Sequence, residues 1–253
     1  MVCIICGFGQ APDQGMYLLR ASIIDVGNNN FNFHRAKANY FAYGIDFTDS
    51  KATSRFSNGK NAADFLAEKL GLPSPKPYLS FINKADIDDE LLKGVNYASG
   101  GAGILNSTYK GYCIPFDKQV NYFSEVVRVI SRQIGPEKTE KHIGAKISLR
   151  IRRRRLQFDP EKYVSELINT LRQQFKDICN LGAHKFIIRS TGAQGRMPIL
   201  RSKTETGACD EDANALAMLC NKKLASLMEE LNSEYHNFCY SFFNMYNAYG
   251  GRN

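Results

Sequence analysis

The feature that most constrains the fold is an alternation of short apolar runs with long amphipathic stretches. The run that begins at Met16 reads as a strand ending near Ser22, and apolar character stops at Gly27-Asn28-Asn29-Asn30, a turn-forming cluster. Residues 31–60 are polar and aromatic without a sustained period and read as a long surface loop. Residues 61–70 read as a helix with Phe65, Leu66 and Leu70 on one side, closed by Gly71 and Pro73. A short helix around Ile87 to Leu92 and a brief strand from Gly94 to Ala98 follow, running into Ser99-Gly100-Gly101-Ala102-Gly103. From Asp117 onward, Val120, Phe123, Val127, Ile130 and Ile134 recur in steps of three and four, one face of a helix that Gly135-Pro136 ends. Ile147 to Ile151 reads as the next strand.

Asp159-Pro160-Glu161 is a strong helix start, with a capping carboxylate, a proline in the first turn and an acid at the positive end of the dipole. Val164, Leu167, Ile168, Leu171, Phe175 and Ile178 form its buried stripe, and Gly182 follows it. Lys185 to Arg189 is a short strand, a long helix runs from about Asp210 to Leu231, and Phe238 to Phe243 is the last strand. Strands separated by helices of more than ten residues need crossover connections. The expected fold is therefore α/β: a doubly wound, mainly parallel sheet in a three-layer α/β/α sandwich. No repeat or linker divides the chain, so residues 1–253 read as one domain. In such folds ligands bind outside the carboxyl ends of the strands, where Ser22, the Gly100 region and the residues after Arg189 would lie.

Composition narrows the function. At 43% hydrophobic residues the chain can bury a sizeable core, and no apolar run is long enough to span a bilayer. The formal charge of +8 invites a nucleic-acid reading, but Arg150 and Arg152 to Arg155 supply five of those charges. The cluster reads either as a nucleic-acid or anionic-membrane patch or as a replaced strand end. The lack of interleaved aromatics favours the second, so no nucleic-acid partner is expected. The seven cysteines are scattered and odd in number, and Cys3-x-x-Cys6 has no second pair to complete a zinc site. They read as buried small hydrophobes, with disulfides conceivable in a secreted protein. The N-terminus MVCIICGFGQ has an apolar stretch without a basic region, a poor match to a signal peptide. Asn106-Ser107-Thr108 is a glycosylation sequon.

Several segments carry a family likeness in order along the chain. Ser22-Ile23-Ile24-Asp25-Val26-Gly27-Asn28-Asn29-Asn30 resembles the first block of the plant GDSL esterase/lipases, of the SGNH hydrolase superfamily. Tyr43-Gly44-Ile45-Asp46-Phe47, Arg55-Phe56-Ser57-Asn58-Gly59 and Gly94 through Ile104 match later segments, as do Leu181 to Lys185 and Cys209 to Asn214. The resemblance runs from about Ser22 to Tyr246. It implies an esterase or lipase acting on acyl ester bonds, secreted, without cofactor or metal. Ser22 would be the nucleophile, with the oxyanion held by its own N–H, by the N–H of Gly100 or, one register over, Gly101, and by an asparagine side chain.

The likeness also has gaps. The Gly-Asp that precedes the serine is Arg20-Ala21 here, which puts a long side chain where a glycine stands in the family. The oxyanion asparagine should follow Ile147-Ser148-Leu149, where the arginine cluster stands instead. Arg196 replaces a cysteine in Gly192-Ala193-Gln194-Gly195-Arg196-Met197-Pro198. The family's Asp-x-x-His block belongs to a segment beyond Asn253, and no histidine among His34, His142, His184 and His236 has an aspartate three residues before it. The expectation is a GDSL domain incomplete at its C-terminus, weakly active or inactive, with no identifiable base. A non-catalytic lipid- or glycan-binding protein is the alternative.

Overall fold

The computed structural model describes residues 15–20, 22–31, 36–82, 88–148 and 159–250. The arginine cluster, Cys3, Cys6, Ala21 and His34 lie outside them. The central strand β1 (Gly15–Arg20) is buried along its whole length, as its unbroken Met-Tyr-Leu-Leu run requires of a strand covered on both faces. Helix α1 (Ala62–Lys69) follows the long irregular loop, then the edge strand β2 (Lys76–Pro77), α2 (Asp88–Leu92) and β3 (Val95–Asn96). Next come α3 (Phe116–Ile134), α4 (Pro136–His142) and β4 (Ile143–Ser148). The chain continues through α5 (Pro160–Asn180), β5 (Lys185–Arg189), α6 (Pro198–Arg201), α7 (Glu211–Glu234), β6 (Cys239–Phe243) and α8 (Met245–Gly250).

All six strands are parallel, in the order β2-β3-β1-β4-β5-β6. The expected α/β architecture is what is found. The chain first moves outward from β1 to β2 and β3, then returns past β1 to β4 and proceeds the other way. Right-handed crossovers then put α1 on one face and α3, α5 and α7 on the other. The core divides accordingly. Met16 and Leu18 pack with Ile24, Val26, Ala63, Ala67 and Ala98 beneath α1. Tyr17 and Leu19 pack with Phe123, Leu171, Phe175 and Leu224 on the opposite face. The reversal of direction makes a switch point between β1 and β4, where two adjacent strands send their following loops apart.

Several boundaries differ from the sequence reading. β1 ends at Arg20, and Ser22–Ile24 already form a 3-10 turn that sends Ile24 and Val26 under α1. α1 buries Ala63 and Ala67, with Leu66 and Leu70 partly buried beside them, while Phe65 is exposed and leaves the shared side expected of it. The strand expected at 147–151 lies at Ile143–Ser148. Gly135, at φ +83°, closes α3, and Pro136 starts α4 at once, so the chain re-enters the sheet earlier. Pairing with β1 from Gly15↔Ile143 to Arg20↔Ser148 fixes that strand, not a β-branched run of its own.

Gly94 shows how tightly the layers meet. Its φ is +109°, and a Cβ there would collide with the backbone of Met16. Gly94→Ala is expected to destabilise the fold by about 2–4 kcal/mol through strain and overpacking. Denaturant unfolding measures it, and a loss below about 0.5 kcal/mol would contradict this packing.

Candidate functional site at the switch point

The carboxyl edge of the sheet gathers the loops after β1, β3, β5 and β6. Ser22 is half-buried at the start of its 3-10 turn, and its carbonyl accepts the Asp25 N–H at 3.3 Å. Arg20, two residues earlier, has φ +88°, a region that favours glycine. The backbone angle thus gives the physical reason for the family's glycine at this position. Arg20 is held there from three directions. Its N–H donates to Gln119 Oε1 at 2.6 Å, its carbonyl accepts the Ser99 N–H at 2.9 Å, and its guanidinium lies 5.3 Å from the centre of the Phe116 ring. Burial pushes that guanidinium down to about 9, which leaves it charged at neutral pH.

The Asp-x-Gly-Asn-Asn-Asn run is a framework. Asp25 is fully buried, and one carboxylate oxygen accepts the N–H groups of Gly27 at 2.8 Å and Asn28 at 3.0 Å. The other oxygen accepts the Gly100 N–H at 2.7 Å, which ties the loop after β1 to the loop after β3. Asn28 Nδ2 donates to the carbonyls of Asn96 at 2.7 Å and Ala98 at 2.9 Å, and its Oδ1 accepts the Leu79 N–H. Asn29 Nδ2 donates to the Gly100 carbonyl at 2.9 Å, and its Oδ1 accepts the Ser99 hydroxyl, which in turn accepts the Ile114 N–H. Buried polar groups are tolerable only when satisfied, and here each amide and carboxylate bridges backbone from a different segment.

This geometry separates the two oxyanion candidates. The Gly100 N–H is committed to Asp25. The Gly101 N–H, in a turn at φ +93°, has no hydrogen-bond partner among the described residues. Position 100 must still be glycine, since a Cβ would strike the Phe56 ring. Phe56 begins an aromatic row: Tyr43 meets it edge-on at 6.0 Å, Tyr40 meets Tyr43 at 5.1 Å, and Tyr40 and Phe41 are exposed. Arg55 anchors this segment through a bidentate pair with Asp64, both contacts 2.7 Å, and Asp64 completes the capping box of α1 with Asn61. Burial alone would raise the Asp64 carboxyl, but the bonds from Arg55 and Ser74 outweigh it and hold the group below its usual range. Asn61 Nδ2 reaches back to the Asp25 carbonyl at 2.8 Å, closing the frame. The sequence reading used these residues as markers of likeness and assigned them no role.

On the other side of the switch point, Asn221 holds Thr191 after β5 by both its N–H and its carbonyl, each at 2.8 Å. Asn214 accepts the Gly195 N–H at 2.8 Å. The histidines are placed differently. His142 precedes β4, His184 precedes β5 and His236 precedes β6, so all three sit at the amino edge of the sheet. Strands of five to six residues separate the two edges by about 17–20 Å. His142 is buried there against the Tyr17 hydroxyl at 3.1 Å and the Leu92 carbonyl at 2.9 Å. With His184 and Lys185 it lines a cavity of about 1140 Å³ at that opposite edge. None of the three described histidines can serve Ser22. Among the described residues no group of three or more His, Cys, Asp or Glu could hold a metal. Burial raises the thiols of Cys113 to about 11 and of Cys179 and Cys220 to about 12, as suits packing residues.

A half-buried serine beyond the first strand of a parallel sheet, framed by a buried aspartate and a glycine loop from the next strand, defines an α/β protein with its site at the switch point. Residues 21–252 match the GDSL-like lipase/acylhydrolase family, and the chain belongs to it. It is 35% identical to GDSL esterase/lipase At5g55050 of Arabidopsis thaliana, over 92% of this chain and 67% of that protein. It is 34% identical to At5g37690, with 92% and 69% covered, and 31% identical to At5g08460, with 93% and 65% covered, both GDSL esterase/lipases of the same plant. The chain thus spans about two thirds of the length of these relatives.

Burial pushes the Asp25 carboxyl up to about 6, against the three N–H bonds and the charge of Arg55. Its folded value lies above the unfolded one, so the folded state retains the proton between about pH 4 and 6 and stability from this group falls as pH rises through that window. The change is about 3 kcal/mol. Relative to Asp25→Asn, the unsubstituted protein is expected to lose about that much stability on going from pH 4 to 7. Paired denaturant titrations measure it, and a difference independent of pH would contradict the burial of this carboxylate.

Proposed function

We propose that the site is that of a serine ester hydrolase acting on acyl esters, with Ser22 as the nucleophile. The oxyanion donors are the N–H groups of Ser22 and Gly101. This narrows the choice between Gly100 and Gly101 that the sequence leaves open, because the Gly100 N–H is spent on Asp25. The aromatic row from Phe56 to Tyr40 offers the acyl group an apolar wall beside the glycine loop. The reading rests above all on one observation, the Asp25 carboxylate that joins the loop carrying Ser22 to the loop carrying Gly101. Family membership supports the same class of activity, and the secreted location of the protein is part of the proposal.

Turnover by these 253 residues is slow in this reading, because His142, His184 and His236 all stand at the far edge of the sheet. With no histidine in reach among the described residues, the serine hydroxyl is a poor nucleophile, and loss of a triad member costs several orders of magnitude in rate. The same placement favours, as a second reading, a chain that holds an acyl ligand without cleaving it.

Hydrolysis of a short-chain p-nitrophenyl ester by the purified protein tests both. The expected result is a rate about six orders of magnitude below that of a complete triad, with little further loss in Ser22→Ala, because serine and base act as a unit. Robust turnover that survives Ser22→Ala would overturn the assignment of the nucleophile, and robust turnover lost in Ser22→Ala would overturn the slow reading. No turnover, with a melting temperature raised by an acyl ligand, would select the second reading.

A further inference from the structure

The sequon at residues 106–108 is a motif of the described residues that the hydrolase reading leaves unused. We propose that Asn106 is a site of N-linked glycosylation, placing one oligosaccharide on the rim of the candidate site. The proposal rests on the secreted location offered above.

Asn106-Ser107-Thr108 is the only Asn-x-Ser/Thr triplet in the 253 residues. It lies between the glycine loop and α3, in a segment with no helix or strand. Two consecutive turns shape it, with the Thr108 N–H donating to Leu105 at 2.9 Å and the Tyr112 N–H to Tyr109 at 2.8 Å. Asn106 and Ser107 are exposed, so a bulky substituent displaces no core residue. The middle residue is not proline, and the third is threonine, whose hydroxyl the acceptor motif requires.

The side chain is also oriented. Asn106 Nδ2 donates to one carboxylate oxygen of Asp117, whose other oxygen accepts Gln174 Nε2 at 2.7 Å. Glycosylation forms a bond from Nδ2 to the anomeric carbon of the first sugar and breaks that carbon's bond to the pyrophosphate of a lipid-linked oligosaccharide donor. The amide gives up one proton and the lipid pyrophosphate leaves with the electron pair. The modified amide keeps one N–H, enough to retain the bond to Asp117.

The same segment folds back on the glycine loop. The Thr108 side chain packs against Gly103, Tyr109 and Cys113 approach Gly101, and the Ile114 N–H is bonded to the Ser99 hydroxyl at 2.9 Å. Tyr109 and Tyr112 are partly exposed, 40% and 43%, beside the acceptor, and offer faces on which a sugar ring can rest. A glycan here stands next to the mouth of the site and leaves the amino-edge cavity untouched.

The test is secretion of the full chain from a eukaryotic cell behind a supplied leader. Intact mass is read before and after peptide N-glycosidase. The expected result is a single glycan, released with conversion of residue 106 to aspartate. Asn106→Gln and Thr108→Val should run at the unmodified mass, while Thr108→Ser, which keeps the hydroxyl, should retain the glycan. A translocated chain without a glycan, or one whose glycan persists in Asn106→Gln, overturns the proposal. Ester hydrolysis does not enter the readout, so failure of the hydrolase reading is recognised separately.

Discussion

The candidate site depends on one buried carboxylate. Asp25 carries its charge into the interior and spends it on three backbone N–H groups from two loops. A carboxylate is suited to this because both oxygens accept and neither donates. The loop after β1 is thereby folded over Gly27 and Asn28, and the loop after β3 is drawn to it through Gly100. Asn28, Asn29 and Asn96 then stitch the same two loops through amides that each reach a backbone partner. The cost of burying the charge appears as the upward shift of its pKa. What is gained is a fixed relation between Ser22 and the Gly101 N–H, since neither loop has regular structure to hold it.

The frame also explains what its neighbours tolerate. A left-handed backbone at Arg20 lets β1 end abruptly and turn into the 3-10 segment at Ser22. Arginine at such an angle is held by Gln119, Ser99 and Phe116, so the strain is absorbed by contacts on both sides of the strand. The turn that carries Ser22 is therefore held in place with arginine, not glycine, at position 20. Acid–base chemistry has no comparable support: the described histidines stand at the amino edge, where His142 is held by Tyr17 and Leu92. Parallel strand direction enforces this separation, because residues that precede strands and residues that follow them cannot meet.

Much of the fold was legible because its signals are local. Asp159-Pro160 starts α5, Gly182 follows its end, and the run Lys185–Arg189 is β5 as read. α4 and β4 were misread for a physical reason. Gly135-Pro136 punctuates without saying whether a strand or a second helix follows, and β4 takes its bounds from pairing with β1. The site was legible to a different degree. Ser22 and the glycine loop were singled out by likeness alone, and nothing local distinguishes Gly100 from Gly101, because the difference lies in a hydrogen bond across 75 residues. The roles of Asp25, Asn28 and Arg55 are invisible locally for the same reason. The arginine cluster Arg150–Arg155 lies outside the described residues.

Amide hydrogen exchange at two adjacent glycines tests the central claim most directly. If Asp25 couples the two loops, the Gly100 N–H is strongly protected at neutral pH, while the Gly101 N–H, left for the oxyanion, exchanges much faster. Rapid exchange at Gly100 with protection at Gly101 would contradict both the Asp25 bridge and the assignment of the oxyanion donor.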